Sequence, residues 1–281
     1  EIDAWAVLPR DRERGHERFR LTNAKGGFLM PTLDYPNARV IRANDHIFLQ
    51  GQTGLSLDGR DFDGAGDPAR QVEVAMQNVK TLLADAGATI DDVCKVTTYL
   101  TDPAHREQID AVLADHFEDV RPVVTSIHVN DLARPELDFE IDVFAIRSSE
   151  GSEHQRFQVP QVDGDSAWPQ SHAVRAGRFL FLQGQSGLRL DGSGLTGAGD
   201  VTAQAEQAME NVRTLLEEMG GRMEDICKIT TFVIDQAARL DVYPVFGRHL
   251  SGVNPASTGL VVEALWRPDL EVAIDAFAVI E

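Results

Sequence analysis

Apolar and polar positions change period in a fixed order along this chain, and the order then runs a second time. Val40-Ile41-Arg42-Ala43 and His46-Ile47-Phe48-Leu49-Gln50 have the composition of two short strands joined by a turn at Asn44-Asp45, and Leu55 to Leu57 stops at the Asp58-Gly59 turn. After Gly64-Ala65-Gly66, Asp67 can cap a helix with Pro68 in its first turn. Val72, Ala75, Met76, Val79, Leu82 and Leu83 follow at helical spacing, and Gly87 ends the run. A strand over 93–100, a second helix over 103–117 and strands over 125–129 and 137–146 complete the unit. Helices interleaved with the strands of one mixed sheet predict a two-layer α+β domain with both helices on one face. The other face is apolar as well, at Ile47, Leu49, Ile141 and Val143 or at their alternating neighbours, so a second domain or a second chain must cover it.

The second run lies 133 positions after the first. Phe48-Leu49-Gln50-Gly51-Gln52 returns as Phe181-Leu182-Gln183-Gly184-Gln185, Gly64-Ala65-Gly66-Asp67 as Gly197-Ala198-Gly199-Asp200, and Cys94-Lys95 as Cys227-Lys228. The offset holds without a gap from Tyr35/Trp168 to Ala145/Ala278, and copies of that length are domains rather than solenoid repeats. We therefore expect domains at 35–149 and 150–281 behind an extension, residues 1–34. A basic cluster from Arg10 to Arg20 marks that extension, which either covers a cleft or is a disordered tail.

Composition narrows the setting. The chain has 45 acidic against 26 basic residues, a formal net charge of −19, and nucleic acid or an anionic membrane would need a cationic footprint that such a surface does not supply. No apolar run is long enough to span a bilayer, and Glu1-Ile2-Asp3-Ala4-Trp5 is unlike a secretory signal, so a cytoplasmic setting is expected. Cys94 and Cys227, in equivalent strand patterns, are expected to be reduced and buried. No metal-ligand spacing, nucleophile elbow or phosphate loop occurs, and no metal or cofactor is expected. His116 and His249 are equivalent and read as structural caps or interface residues.

One ordered set of phrases runs through both copies. It comprises the strand ending in Gln-Gly-Gln, the helix with Gln-x-x-x-Ala-Met-x-Asn-Val-x-x-Leu-Leu, the run Asp91-Asp92-Val93-Cys94-Lys95-Val96-Thr97-Thr98-Tyr99-Leu100-Thr101-Asp102 and a closing Ile-Asp-x-Phe-Ala strand. In these the chain resembles the reactive intermediate deaminase (RidA/YjgF) family. The resemblance implies two tandem chorismate-mutase-like domains, trimeric rings with small-molecule clefts between neighbouring domains, and hydrolysis of enamines and imines to 2-keto acids and ammonia without a metal or cofactor.

The same resemblance assigns candidate site residues. Family members that act on imino acids carry an arginine two residues after the proline opening the penultimate strand, where a guanidinium fork pairs with a carboxylate. After Pro122 and Pro255 those positions hold Val124 and Ser257, so both copies lack the clamp, and Arg121 could replace it only with a shifted backbone. The family's acid–base glutamate matches Glu140 in Glu140-Ile141-Asp142, whereas the second copy reads Ala273-Ile274-Asp275. Thr125, Ser126 and His128 stand where the second copy has Thr258, Gly259 and Val261. Gln50-Gly51 and Gln183-Gly184 match a strand end where the ligand approaches backbone, and Tyr35 or Trp168 falls near a tyrosine that covers the ligand.

The expectation is a metal-free hydrolase or deaminase-like enzyme for a small reactive imine, enamine or related intermediate, other than a simple 2-imino acid. Glu140, Ser126 and His128 would carry the chemistry, with Gln50, Gly51, Thr125, Arg121, Tyr35, Gly184 and Ser257 around the substrate. The alternative is a catalytically silent ring protein that binds a metabolite or a partner. Three chains forming two rings, a homotrimer, would satisfy every domain; pairing of the two domains within one chain, with the third ring position empty or filled by the extension, is the other arrangement.

Overall fold

Each copy builds one mixed sheet with two helices on one face. This computed structural model describes residues 4–11, 15–23, 25–27, 32, 34–148, 153–159 and 168–281. The expected domain boundary at 149/150, residues 1–3, and Arg12 and Arg14 of the basic cluster lie outside the described residues.

The first copy contains β1 (Glu17–Asn23), β2 (Pro36–Ala43), β3 (His46–Leu49), α1 (Pro68–Asp85), β4 (Val93–Leu100), α2 (Arg106–Phe117), β5 (Val123–His128) and β6 (Phe139–Ile146). The second contains β7 (Gln155–Phe157), β8 (Ala173–Ala176), β9 (Phe179–Leu182), α3 (Val201–Glu218), β10 (Ile226–Val233), α4 (Arg239–His249), β11 (Ala256–Val261), β12 (Ala264–Leu265) and β13 (Val272–Val279). The sheet orders are β1-β2-β3-β6-β4-β5-β12 and β11-β10-β13-β9-β8-β7. Among the described residues only the β4–β5 and β10–β11 pairs are parallel, joined through α2 and α4 as a parallel crossover requires.

Local chemistry sets these elements. The side chains of Asp67 and Asp200 accept from Arg70 N at 3.1 Å and Ala203 N at 3.0 Å, satisfying an amide that the first helical turn leaves unpaired. Inward stripes of α1 and α3 meet residues of the sheets, with Val72, Met76, Val79, Leu82, Ile47, Ile141 and Val143 in one cluster. Ile47, Ile141 and Val143 thus face the helices, and their alternating neighbours form the outer face. His116 pairs with Glu73 at 2.7 Å and His249 with Glu206 at 2.6 Å, clasping the paired helices of each copy.

Three sequence expectations change here. Residues 55–57 form no strand; Leu55 makes an isolated bridge to Phe62, because the chain turns too soon for a longer ladder. Residues 17–23, allowed above as part of a disordered tail, form β1 and pair with β2, as β7 does with β8. Cys94 is buried as expected, but Cys227 is exposed. Cys94 lies in a cluster with Val174, Ala176 and Phe181 of the second copy, whereas Cys227 at the equivalent position of β10 is left exposed.

The outer faces of the two sheets meet each other. Phe144 meets Phe181 in a tilted contact at a centroid distance of 5.2 Å, and Phe48 and Phe277 extend the same aromatic row. A second cluster joins Ile127 of the first copy to Phe232, Val262, Leu265 and Ala273 of the second. Two-residue β12 pairs antiparallel with β5, so a piece of the second copy completes the sheet of the first. Among the described residues no helix is long and apolar enough to cross a membrane.

Candidate active site

Gly51 brings the site together through the space it leaves. Gln52 and Ile141 exchange both backbone hydrogen bonds at 2.9 Å, which holds the end of β3 against β6. A side chain at Gly51 would fall inside the Glu140 carboxylate and 3.0 Å from Oδ1 of Asp142. Two carboxylates therefore converge on one bare stretch of backbone. On the neighbouring strand Tyr99 lies opposite Glu140 and donates its hydroxyl to Oδ2 of Asp142 at 3.0 Å.

This arrangement separates the protonation of two adjacent acids. Burial, with a smaller contribution from Asp142, pushes the Glu140 carboxyl up to about 7. Burial also raises Asp142, but the Tyr99 hydroxyl opposes that rise by bonding its ionised form. Tyr99 itself is raised, first by burial and then by the Asp142 charge, so it stays a neutral donor. An acid poised near neutrality beside one that keeps a donor is the arrangement needed to take up and return a proton.

Tyr99 and Asp142 also line a cavity of about 450 Å³ between the two sheets. Its polar lining continues through Lys95, Thr97, Lys228 and Thr230, and its apolar wall is the row of phenylalanines. Trp5 of the extension closes one side, 4.8 Å from Phe277 and 5.9 Å from Phe144 between ring centroids. This volume lies in the range of small-molecule sites. Among the described residues no three His, Cys, Asp or Glu side chains cluster as a metal site.

The equivalent place in the second copy is closed. Ala273 replaces Glu140 and is fully buried, and Phe232 replaces Tyr99. Asp275 accepts from Thr125 Oγ1 at 2.5 Å and pairs with Lys95, both from the first copy. A side chain at Gly184 would meet Thr125 at 3.2 Å. Thr125 of β5 thus stands against Gly184 where the Glu140 carboxylate stands against Gly51.

The expected site residues consequently divide. Glu140 and Gly51 come together, and Gln50 sits beside them, its side chain accepting from Arg39 at 2.9 Å. Thr125 and Gly184 meet at the closed junction instead. Ser126 faces the helix side and accepts from Thr98 at 2.7 Å, so it does not join Glu140. His128 is buried and its Nδ1 donates to the Leu265 carbonyl at 3.2 Å, fastening β12 to β5; burial lowers its pKa. Arg121 turns with φ at 51° toward Gln158, 2.6 Å away, and stays half-buried rather than reaching in as a clamp. Tyr35 is 59% exposed and forms no lid, while its counterpart Trp168 is buried against Phe117, with stacked rings 5.0 Å apart. Val124 is buried in the helix-side core and Ser257 is exposed in a separate groove beside α4. Sequence reasoning missed Tyr99 and the cavity lysines. The Tyr99/Phe232 column, a hydroxyl gained in one copy only, was the available signal.

Comparison with known proteins agrees with the duplicated architecture. The family described as Endoribonuclease L-PSP matches twice, over residues 30–147 and 164–280. Protein DfrA of Myxococcus xanthus is 38% identical over 125 residues, covering 43% of this chain and 90% of that protein. RutC family protein YjgH of Escherichia coli is 38% identical over 107 residues, 37% of this chain and 78% of its own. A solved chorismatase covers 85% of this chain and 76% of its own with a TM-score of 0.62, and at 16% identity this is a likeness of fold alone. With both copies matched and the repeated order of strands and helices intact, the chain belongs to the RidA/YjgF family as a tandem two-domain member.

Proposed function

We propose that this protein is a metal-free hydrolase of small C=N compounds or enamines, working at Glu140 of the first domain. The convergence of Glu140 and Asp142 over Gly51 carries this reading. Ionised Glu140 takes a proton from water as the oxygen adds to the C=N carbon. The protonated acid then returns that proton to nitrogen, and as the tetrahedral adduct collapses Glu140 passes the hydroxyl proton to the departing nitrogen, so that a carbonyl compound and ammonia are released. Asp142, held by Tyr99, adds to the upward push of burial on Glu140 and so favours the proton's return to it between steps. Neither arginine-clamp position holds an arginine, which supports a substrate other than a simple 2-imino acid.

The test is ammonia release from enzymatically generated imines and enamines. Glu140→Gln should lower turnover by about 10²-fold, the usual scale for a positioned acid or base. Unchanged turnover in that variant removes Glu140 from the chemistry. No turnover of any C=N substrate by the native protein would favour the silent binding protein instead.

The two-ring homotrimer is not the assembly we favour. A ring of like domains needs the β5 edge to meet another chain, and here that edge carries β12 of its own second domain. Pairing within one chain, with Trp5 of the extension at the shared cavity, fits the packing better.

A further inference from the structure

The two copies put one carboxylate to different uses. Asp275 of the second copy grips a cation: it pairs with the Lys95 ammonium and accepts from Thr125 Oγ1 at 2.5 Å, both reaching across from the first domain. Asp142 is its equivalent in the first copy, beside Gly51 as Asp275 is beside Gly184. Among the described residues no basic side chain pairs with Asp142 or with its neighbour Glu140, and the Tyr99 hydroxyl bonds Asp142 instead at 3.0 Å. The carboxylate that binds an ammonium in one copy thus faces the cavity in the other without an ammonium of the chain beside it.

The surroundings of Asp142 suit a cation that carries an apolar body. Trp5, Phe48 and Phe144 line the same cavity of about 450 Å³, with Phe144 4.9 Å from Phe48 and 5.9 Å from Trp5 between ring centroids. Aromatic faces attract ammonium groups, and a carboxylate among them adds to that attraction. The two cavity lysines are engaged toward the second domain, Lys95 with Asp275 and Lys228 donating to Thr258 Oγ1 at 3.1 Å. A net charge of −19 also raises the local concentration of cations around the molecule.

We propose that the Glu140–Asp142 end of the cavity takes a cationic substrate, an iminium compound with an aromatic body, its nitrogen against the two carboxylates and its ring along Trp5, Phe48 and Phe144. For turnover this rests on the hydrolase reading of Glu140, whose substrate class it names. Hydrolysis of such an iminium consumes one water and yields a neutral carbonyl compound and an ammonium ion, so the charge that is recognised departs with nitrogen. The bound positive charge also favours ionised Glu140, the form that takes a proton from water.

Isothermal titration of the full chain at pH 8 with benzylamine, uncharged benzyl alcohol and benzoate, three ligands of similar shape, tests the site without any turnover. Benzylamine should bind saturably, and the other two should be weaker by about 10-fold or more, as expected for loss or reversal of a paired charge. Asp142→Asn keeps an acceptor for Tyr99 and should weaken benzylamine by about 10-fold with an unchanged circular dichroism spectrum. Glu140→Gln should weaken it as well, which keeps the test decisive if the first variant does not fold. Trp5→Ala should cost about threefold by removing one ring from the wall. Absence of saturable benzylamine binding in the millimolar range, equal or tighter binding of benzyl alcohol or benzoate, or native benzylamine affinity in both carboxylate variants would overturn the proposal. Benzylamine binding that these variants weaken, with no turnover of any C=N substrate, would uphold the cation site and remove the hydrolase. Turnover of uncharged imines without benzylamine binding would do the reverse.

Discussion

At the scale of single residues, the environment of Glu140 joins activity to stability. Its carboxyl titrates near 7 in the folded chain against an ordinary 4.5, so the folded state holds a proton that the unfolded chain has already released. Stability contributed by this residue is therefore full below about pH 4.5 and falls as pH rises through 7. Glu140→Gln removes that loss. Thermal melts should show the variant gaining on the native protein between pH 5 and pH 8, in about the range the two pKa values define. Equal melting differences at both pH values would mean that Glu140 is solvated. Catalysis should run the other way, with the native rate passing half its maximum about pH 7 and reaching a plateau above it as the base form accumulates. A residue that costs stability where it works is the usual signature of an active site. Glu140 was legible in the sequence because one copy keeps it and the other has alanine. Its partner Tyr99 was harder to see, since only the β4–β6 register sets the two side by side.

At the scale of elements, β5 and β11 show how equivalent sequences acquire different duties. Both run parallel to their neighbour behind an equivalent helix, yet β5 is buried along its length and β11 is half-open. The difference comes from the second copy, which covers Val123 with Val174 and Phe181, Thr125 with Asp275, and Ile127 and His128 with β12. His128 is therefore a fastening between domains. His128→Val, which installs the residue type of the second copy, should cost on the order of 1 kcal/mol in urea denaturation by deleting one buried hydrogen bond. Turnover should stay unchanged. A large loss of rate with intact stability would restore His128 to the chemistry. An imidazole between apolar strand neighbours has the same sequence appearance in either role, and only the carbonyl of Leu265, 137 positions away, distinguishes them.

At the scale of the whole molecule, the two domains face each other across the aromatic row and share one cavity. Occupation of the β5 edge within the chain argues against closure of a ring by copies of the first domain. Light scattering in dilute buffer should give the mass of one 30.9 kDa chain. A mass three times larger would require β12 to leave β5 and would favour the two-ring assembly. The β11 edge is open to a partner strand, and Val261 there is 50% exposed.

The sequence by itself determined the duplication, the order of strands and helices and the helix-facing core. These follow from period and capping, which depend on residues a few positions apart. It also marked Glu140 and the missing arginine clamp, because the two copies act as each other's control. Tertiary structure alone decided which candidates share a site. Glu140 meets Asp142 and Tyr99 over Gly51, while Thr125 closes against Asp275 and Ser126 and His128 turn to structural work. The fates of Thr125 and His128 depend on how one domain lies against the other, with partners 150 and 137 positions away, while the meeting of Glu140 with Tyr99 depends on strand register, and neither leaves a periodic trace in the chain.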